Sequence, residues 1–111
     1  MAPFEARTST EAGRAVVSLA GECDLAVREE LMTVLLAAVG SAPVTVVDLA
    51  ALRFIDSSGV HCLVAGHHAA RRQGHLLHVV NAGGTVAHVL DVTGVAELLA
   101  PLVNDAGAAP S

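Results

Sequence analysis

Apolar residues along the chain fall into short continuous runs and into longer stretches with helical spacing, joined by turns of small and polar residues. The valine-rich run at 14–20 is too short for a typical helix and predicts a strand. Residues 4–9 predict an edge strand that pairs with it across the polar turn at 10–13. The β-branched run at 44–50 is apolar at nearly all positions of both faces, which predicts a central strand. The run at 75–81 predicts a fourth strand.

Asp24 and Gly40 bound the first predicted helix. Within 25–39 the apolar residues follow the 3.6-residue period of an amphipathic helix, and Glu29 and Glu30 fall on the opposite face. Aspartate is a favoured N-cap, and glycine commonly follows the last turn of a helix. We therefore expect a helix that begins directly after Asp24 and stops at Gly40.

Three more helical segments are predicted further along the chain. A second helix begins at Ser57 or Ser58 and closes at 71–74. Short helical turns are predicted at 85–92 and 96–102, because glycine or proline interrupts the apolar pattern there.

The predicted elements follow the order β-β-α-β-α-β-α-α. Strands that are joined by a crossover helix and share a sheet run parallel, with right-handed connections. The pattern therefore predicts an α/β fold, a small mixed β-sheet with helices packed on it. A chain of 111 residues has the size of one domain. We place this domain at 1–103 and a flexible C-terminal tail at 104–111.

Composition excludes global disorder, because 53% of the residues are hydrophobic and only 15% are charged. No apolar stretch reaches the roughly 20 residues that span a bilayer. No charged segment followed by an apolar run opens the chain, as it would in a secretory signal. We therefore expect a cytoplasmic protein without membrane contact.

The formal net charge is −5, and all six basic residues are arginine. A phosphate-binding P-loop and a Schiff-base enzyme each need a lysine, and a nucleic-acid groove needs a basic surface. The composition argues against these classes of protein, and we expect no direct nucleic-acid binding.

The cysteines and histidines give no support for a metal site. Cys23 and Cys62 lack the C-x-x-C spacing, so the simplest interpretation is two reduced thiols. No two histidines have the H-x-x-x-H spacing of a helical zinc site. We therefore expect no metal or other cofactor, and interpret the histidines as surface or half-buried side chains. They are His61, His67, His68, His75, His78 and His88.

The segment 54–60, Phe-Ile-Asp-Ser-Ser-Gly-Val, lies where the central strand ends and the second helix begins. Polar groups at such a junction face the crevice at the carboxyl ends of the strands. Asp, Ser and Gly are also good helix starters, so the segment alone indicates no more than a helix cap. The hydrolase elbow G-x-S-x-G is incomplete, because Ile55 stands where its first glycine would be. His61 lies on the same helix and is not a preorganised base.

Three segments occur together in an order and spacing that is typical of one family. They are Gly-Glu-Cys-Asp-Leu at 21–25, Val-Val-Asp-Leu at 46–49 followed by Phe-Ile-Asp-Ser-Ser-Gly at 54–59, and Val-Leu-Asp-Val-Thr-Gly-Val at 89–95. With these segments the chain resembles the STAS domain of bacterial anti-sigma factor antagonists. The resemblance extends over about 4–103 and implies a mixed sheet with helices packed on it, in agreement with the predicted order.

The resemblance implies partner switching. An unmodified antagonist of this kind binds an anti-sigma factor that is also a serine kinase, and so releases a sigma factor. The kinase phosphorylates the serine after the motif's aspartate, which ends the complex, and a PP2C-type phosphatase restores the antagonist. Carried onto this chain, the phosphoacceptor is Ser57, and the chain needs no catalytic residues of its own. The implied partner-binding residues are Glu22, Asp24, Asp56, Ser57, Ser58, Gly59 and His61.

A phosphoryl group on Ser57 would add about −1.5 to −2 charges. The exposed amides and the dipole of a helix N-terminus tolerate such a charge, so we expect little refolding. The charge would lie beside Asp56 and near Asp24, on a surface that docks another protein, where burial of an unpaired dianion weakens binding. His61 stands where the family often has a small or aliphatic residue, and we expect it to face solvent.

Two alternatives remain. The same fold could serve as a constitutive interaction module or transporter-associated subunit without a phosphoswitch, although the intact pair Asp56 and Ser57 argues against this. A ligand-binding or hydrolytic domain would bind nucleotides or turn over an ester, and we expect neither to be appreciable. The sequence does not indicate the oligomeric state.

Overall fold

A computed structural model describes residues 3–101. It confirms the predicted order of strands and α-helices and adds one 3-10 helix. The end of the helical turn predicted at 96–102 and the tail predicted at 104–111 lie outside the described residues. The elements are β1 (Glu5–Glu11), β2 (Arg14–Cys23), the 3-10 helix (Leu25–Val27), α1 (Arg28–Ser41), β3 (Val44–Ile55), α2 (Ser57–Arg72), β4 (Leu76–Val80), α3 (Gly84–Val92) and α4 (Val95–Leu98).

The four strands form one mixed sheet in the order β1-β2-β3-β4. β1 and β2 pair as an antiparallel hairpin, whereas β2 with β3 and β3 with β4 are parallel. The hairpin turns at Ala12 and Gly13, which have φ angles of 52° and 80°. Positive φ at both central positions suits the twist of a two-residue hairpin.

β3 is longer than the 44–50 that its β-branched run predicts, because pairing with β2 continues to its end. β4 pairs only with residues 44–48 of β3. In the second half of β3, β2 is therefore the single neighbouring strand. Ala50, Ala51, Arg53 and Phe54 are exposed in this half. The second half of β3 therefore lacks the apolar pattern of a central strand, although its backbone is still extended.

The first helix starts and ends differently from the prediction. Asp24 caps the 3-10 helix, because its side chain accepts a hydrogen bond from the Ala26 amide, and α1 begins only at Arg28. The helix continues through Gly40 to Ser41, whose hydroxyl donates to the Ala38 carbonyl at 2.9 Å. Glycine inside a helix weakens it by about 1 kcal/mol or less, and packing can override that cost.

The core lies between the sheet and the helices. Alternate residues of β2 are buried, α1 contacts β2 and α2 contacts β4. Gly66 of α2 brings the helix so close that an added Cβ would lie 3.1 Å from Leu77 and 3.6 Å from Leu35. Each fully buried aliphatic side chain contributes about 1.5–3 kcal/mol to the free energy of folding. The largest of these are Leu19, Leu31, Leu35, Leu49, Ile55, Leu63, Leu90 and Leu99.

Within the part of the chain that the structure describes, none of the helices has the length and apolar character needed to cross a membrane.

Candidate partner-binding site

Two neighbouring strands end side by side and bring the first and second motif segments together. Glu22 pairs with Phe54 and Cys23 pairs with Ile55 in the parallel ladder of β2 and β3. The ladder ends with the Asp56 amide, which donates to the Cys23 carbonyl at 3.1 Å. The next residues of the two strands are therefore neighbours, and Asp24 and Asp56 stand at the same edge of the sheet.

Asp56 holds the start of α2. Its Oδ1 accepts hydrogen bonds from the Ser58 amide at 2.9 Å and from the Gly59 amide at 3.2 Å. Its backbone carbonyl accepts from the Val60 amide at 3.0 Å. The sequence predicts a helix cap in this segment. Because of this cap, two of the first amides of α2 already have a carboxylate partner.

Gly59 allows the first turn of α2 to pack directly on the strand ends. A Cβ at this position would lie 2.6 Å from Ile55 Cγ1 and 2.7 Å from Cys23 Sγ, closer than such atoms approach each other. Gly59 is buried and helps to pack α2 on the strand ends, and its role as a partner contact stays a prediction. The position of the α2 N-terminus depends on this close contact.

The two serines of the motif differ in accessibility. Ser57 is the first residue of α2 and is exposed, and among residues 3–101 its hydroxyl forms no hydrogen bond. Ser58 is half-buried, and its amide is bound to Asp56. A kinase must bring its phosphoryl donor in line with a free hydroxyl, and Ser57 meets that requirement better than Ser58 does.

The remaining predicted contact residues lie around Ser57. Glu22 and Asp24 are half-buried at the end of β2, and Asp56 is half-buried after the neighbouring end of β3. His61 lies four residues along α2 from Ser57, on the same face of the helix, and is exposed as expected.

Leu25 is a feature of this region that sequence reasoning did not assign to the site. It is 69% exposed in the 3-10 helix, directly after Asp24. A signal was available, because Leu25 does not follow the spacing of Val27, Leu31 and Leu35, which face the core. We call the accessible group formed by Glu22, Asp24, Leu25, Asp56, Ser57 and His61 the Ser57 surface.

Two free thiols lie in the interior beneath this surface. Burial raises the pKa of Cys23 from 9.0 to about 12, helped by the nearby Cys62 thiol and by the Asp56 and Asp24 carboxylates. Burial also raises the pKa of Cys62, against the opposing charge of Arg28. The Cys62 thiol donates to the Arg28 carbonyl at 3.6 Å. Both cysteines are therefore protonated core residues near neutral pH.

The histidines do not assemble a metal site: no group of three or more His, Cys, Asp or Glu side chains within 3–101 is arranged to hold a metal ion. His75 bonds the Val39 carbonyl through Nδ1 at 2.9 Å. His67 departs from the expectation of a surface or half-buried side chain, because it is only 9% exposed.

The family of the chain follows from these motifs and from comparison with known proteins. Residues 6–103 match the family model described as "Mlab, STAS domain". The match extends over most of the chain, and the chain belongs to the STAS domain family. Comparison with curated protein sequences found no match.

Solved structures share this fold over nearly the whole chain. An anti-sigma factor antagonist from Mycobacterium paratuberculosis superposes with a TM-score of 0.81 at 27% identity, over 96% of this chain and 93% of that one. The Bacillus protein SpoIIAA in its unphosphorylated form gives 0.75 at 19% identity, over 92% of each chain. A sulfate transporter family protein from Wolinella succinogenes gives 0.69 at 20% identity, over 82% of this chain and 75% of that one. The resemblance to STAS domains of anti-sigma factor antagonists is thus confirmed.

Proposed function

We propose that this protein is an anti-sigma factor antagonist that is switched off by phosphorylation of Ser57. In its unmodified form it binds an anti-sigma factor with serine kinase activity, and the bound sigma factor is released. Phosphorylation by that kinase ends the complex, and a PP2C-type phosphatase restores the unmodified form. The observation that carries this proposal is the exposed hydroxyl of Ser57 at the first position of α2, next to the Asp56 cap.

The chain supplies an acceptor and a docking surface, while the partner supplies the chemistry. Leu25 offers an exposed apolar contact after the end of β2, and Glu22, Asp24 and Asp56 add negative charge at the same two strand ends. An apolar anchor with a polar rim is the usual anatomy of a specific interface. A partner with a shallow apolar pocket and basic residues at its rim would fit this arrangement.

Phosphorylation would act locally. The α2 dipole favours a phosphate at Ser57, but Asp56 already occupies the amides of Ser58 and Gly59. The phosphate would therefore add about −1.5 to −2 charges next to a carboxylate, with few free donors to compensate. Little refolding is needed for release, because a loss of only about 1.4 kcal/mol of binding free energy weakens the complex tenfold.

Two structural relatives support the proposal. The Mycobacterium paratuberculosis protein is described as an anti-sigma factor antagonist. SpoIIAA is described as an anti-sigma factor antagonist and has been solved in an unphosphorylated and a phosphorylated form. A chain of the same fold with an accessible serine at the start of α2 is suited to the same kind of control.

The test compares four variants with the wild-type protein. The cognate kinase and ATP should add one phosphoryl group to wild type and to Ser58→Ala, but none to Ser57→Ala, as measured by intact-mass spectrometry and peptide mapping. Ser57→Ala should bind the anti-sigma factor as wild type does, whereas Ser57→Asp should bind at least about tenfold more weakly in calorimetry. Ser58→Asp is the matched charge control and should have a smaller effect. Phosphate on Ser58 alone would contradict the proposal.

The Wolinella succinogenes relative favours a second candidate, a constitutive interaction module of a transporter. In that case Ser57→Asp and wild type should bind their common partner equally, and no kinase should modify Ser57. Affinity capture from cell extract with both forms separates the two functions, because only the antagonist changes partners with the charge at Ser57.

A further inference from the structure

A second candidate site lies near the other end of α2. A cavity of about 230 Å³ opens between the last turns of α2, the start of β4 and α4. Its walls are fixed to each other by the backbone: the His75 amide donates to Ala70 O at 2.8 Å, and the Val79 amide donates to Leu99 O at 2.8 Å. The cavity is therefore part of the folded domain rather than a gap between mobile segments.

The walls of this cavity carry opposite charges that are not paired with each other. Arg71 lines it from α2 and Glu97 lines it from α4. Both side chains are exposed, and the ion pair between Arg7 and Glu5 is the only one formed within residues 3–101. A cation and an anion from two different helices thus line the same cavity.

His67 adds a buried polar group to the α2 wall. It precedes Arg71 by four residues, so both side chains project from the same face of the helix and both line the cavity. Its side chain is only 9% exposed, and its Nδ1 has no hydrogen-bond partner. A buried polar atom without a partner costs free energy and is uncommon in a folded protein.

Most of the remaining lining is apolar. Leu76 and Leu77 contribute from β4, and Leu98 contributes from α4. Leu76 and Leu98 remain 37% and 43% exposed, so their apolar surface is available for contact.

We propose that this cavity binds a small zwitterion with an apolar body, of the chemical class of free apolar α-amino acids. The ligand carboxylate accepts hydrogen bonds from the Arg71 guanidinium and from Nε2 of His67, since Nδ1 is sealed in the interior, and the ligand ammonium pairs with Glu97. The apolar body packs on the leucines of β4 and α4. The volume is below the roughly 300–1,000 Å³ of pockets for drug-sized molecules, which suits a ligand of this size.

This site is separate from the Ser57 surface. Ser57 and His67 are ten positions apart on one helix, which corresponds to about 15 Å along its axis. Ligand binding in the cavity therefore does not require partner switching at Ser57.

The test is a titration of the full-length, isotope-labelled protein with L-leucine, followed by amide NMR. We expect a dissociation constant of about 1 mM, as is usual for so small a ligand. The shifted amides should belong to the second half of α2, β4 and α4, and those of 56–61 should be unaffected. 4-Methylpentanoate lacks the ammonium and 3-methylbutylamine lacks the carboxylate, so each should bind about tenfold more weakly.

The chain offers a matched pair of variants for this test. Arg71→Gln should weaken leucine binding about tenfold. Arg72→Gln removes the same charge outside the cavity and should keep the dissociation constant for leucine within about twofold of the wild-type value. His67→Gln against His68→Gln gives a second pair, provided that the buried substitution keeps the native amide spectrum. Absence of localised shifts, equal weakening by the two arginine variants, or equal affinity for all three compounds would overturn the proposal.

Discussion

The two helices that leave the adjacent ends of β2 and β3 both start after an aspartate, but their first turns differ. Asp24 accepts one amide hydrogen bond, and the chain after it makes three residues of 3-10 helix with no buried side chain. Asp56 accepts two amide hydrogen bonds, and α2 begins at once with a turn that packs on Ile55 and Cys23. The same capping residue is therefore followed by an exposed turn in one case and by a closely packed turn in the other.

This difference comes from the residues after each cap. Gly59 lets the backbone of α2 approach the strand ends, whereas Leu25 is placed directly after Asp24 and remains 69% exposed. The Ser57 surface thus combines a serine on a closely packed helix start with an apolar side chain on an exposed turn. If the proposed kinase docks here, the packed helix start would position the acceptor hydroxyl and the exposed turn would offer it an apolar contact.

The largest expected effect concerns Cys23, which lies between the two helix starts. Because its pKa is raised from 9.0 to about 12, the thiolate fraction near pH 8 is about a thousandfold lower than in the unfolded chain. Because Cys23 is also fully buried, iodoacetamide should modify it at least about a thousandfold more slowly in the native protein than in urea, measured in a Cys62→Ala background. Rapid native modification would show that the strand ends open readily.

The same pKa gives a pH dependence with a definite sign. The folded state keeps Cys23 protonated, while the unfolded state loses the proton above about pH 9. The free energy of unfolding should therefore be unaffected by this group below pH 9 and should fall as the pH rises towards 12. Urea titrations of wild type and Cys23→Val between these pH values should show a smaller alkaline decline in the variant.

Gly59→Ala should disrupt the closely packed start of α2. The new Cβ would meet Ile55 and Cys23 at less than 3 Å, so we expect a loss of about 1–3 kcal/mol in the free energy of unfolding. Gly40→Ala is the matched control, because nothing lies within 4 Å of its Cβ, and it should stabilise α1 by about 0.5–1 kcal/mol. Equal responses of the two variants to urea would show that the close packing is unimportant.

The smallest expected effect is the difference in stability lost when each helix cap, Asp56 or Asp24, is removed. Asp56→Ala removes an acceptor of two amide hydrogen bonds and should cost about 1–2 kcal/mol, whereas Asp24→Ala removes one and should cost about 0.5–1 kcal/mol. Asp→Asn at either position keeps an acceptor and should recover most of the loss. If urea unfolding showed a larger loss of stability for Asp24→Ala than for Asp56→Ala, the expected order of the two caps would be wrong.

Much of the fold could be predicted because it depends on local patterns. The 3.6-residue spacing of Leu31, Leu35 and Ala38 predicted α1, and all three are buried. The valine runs predicted β2 and β3, and the polar turn between β1 and β2 predicted a hairpin. The Asp-Ser-Ser-Gly segment predicted the start of α2 to within one residue.

Other features could not be predicted, because they depend on neighbours that are distant in the sequence. The second half of β3 has no strand pattern of its own, and β2 alone keeps it extended. Position 67 was expected to be at least half-exposed, yet it is buried beside β4 and α4. The amides at the start of α2 were expected to be free for a phosphate, yet Asp56 already binds two of them.

By itself, the sequence determined the order of elements, the capped start of α2 and the serine to be tested there, since each depends on residues within a few positions of one another. Only the tertiary structure decided which of the two serines is more exposed, why the motif needs a glycine, and that Leu25 stands exposed directly after Asp24. These properties arise where β2 and β3 end together, more than 30 residues apart in the chain. A local sequence pattern cannot predict how closely two such distant segments pack.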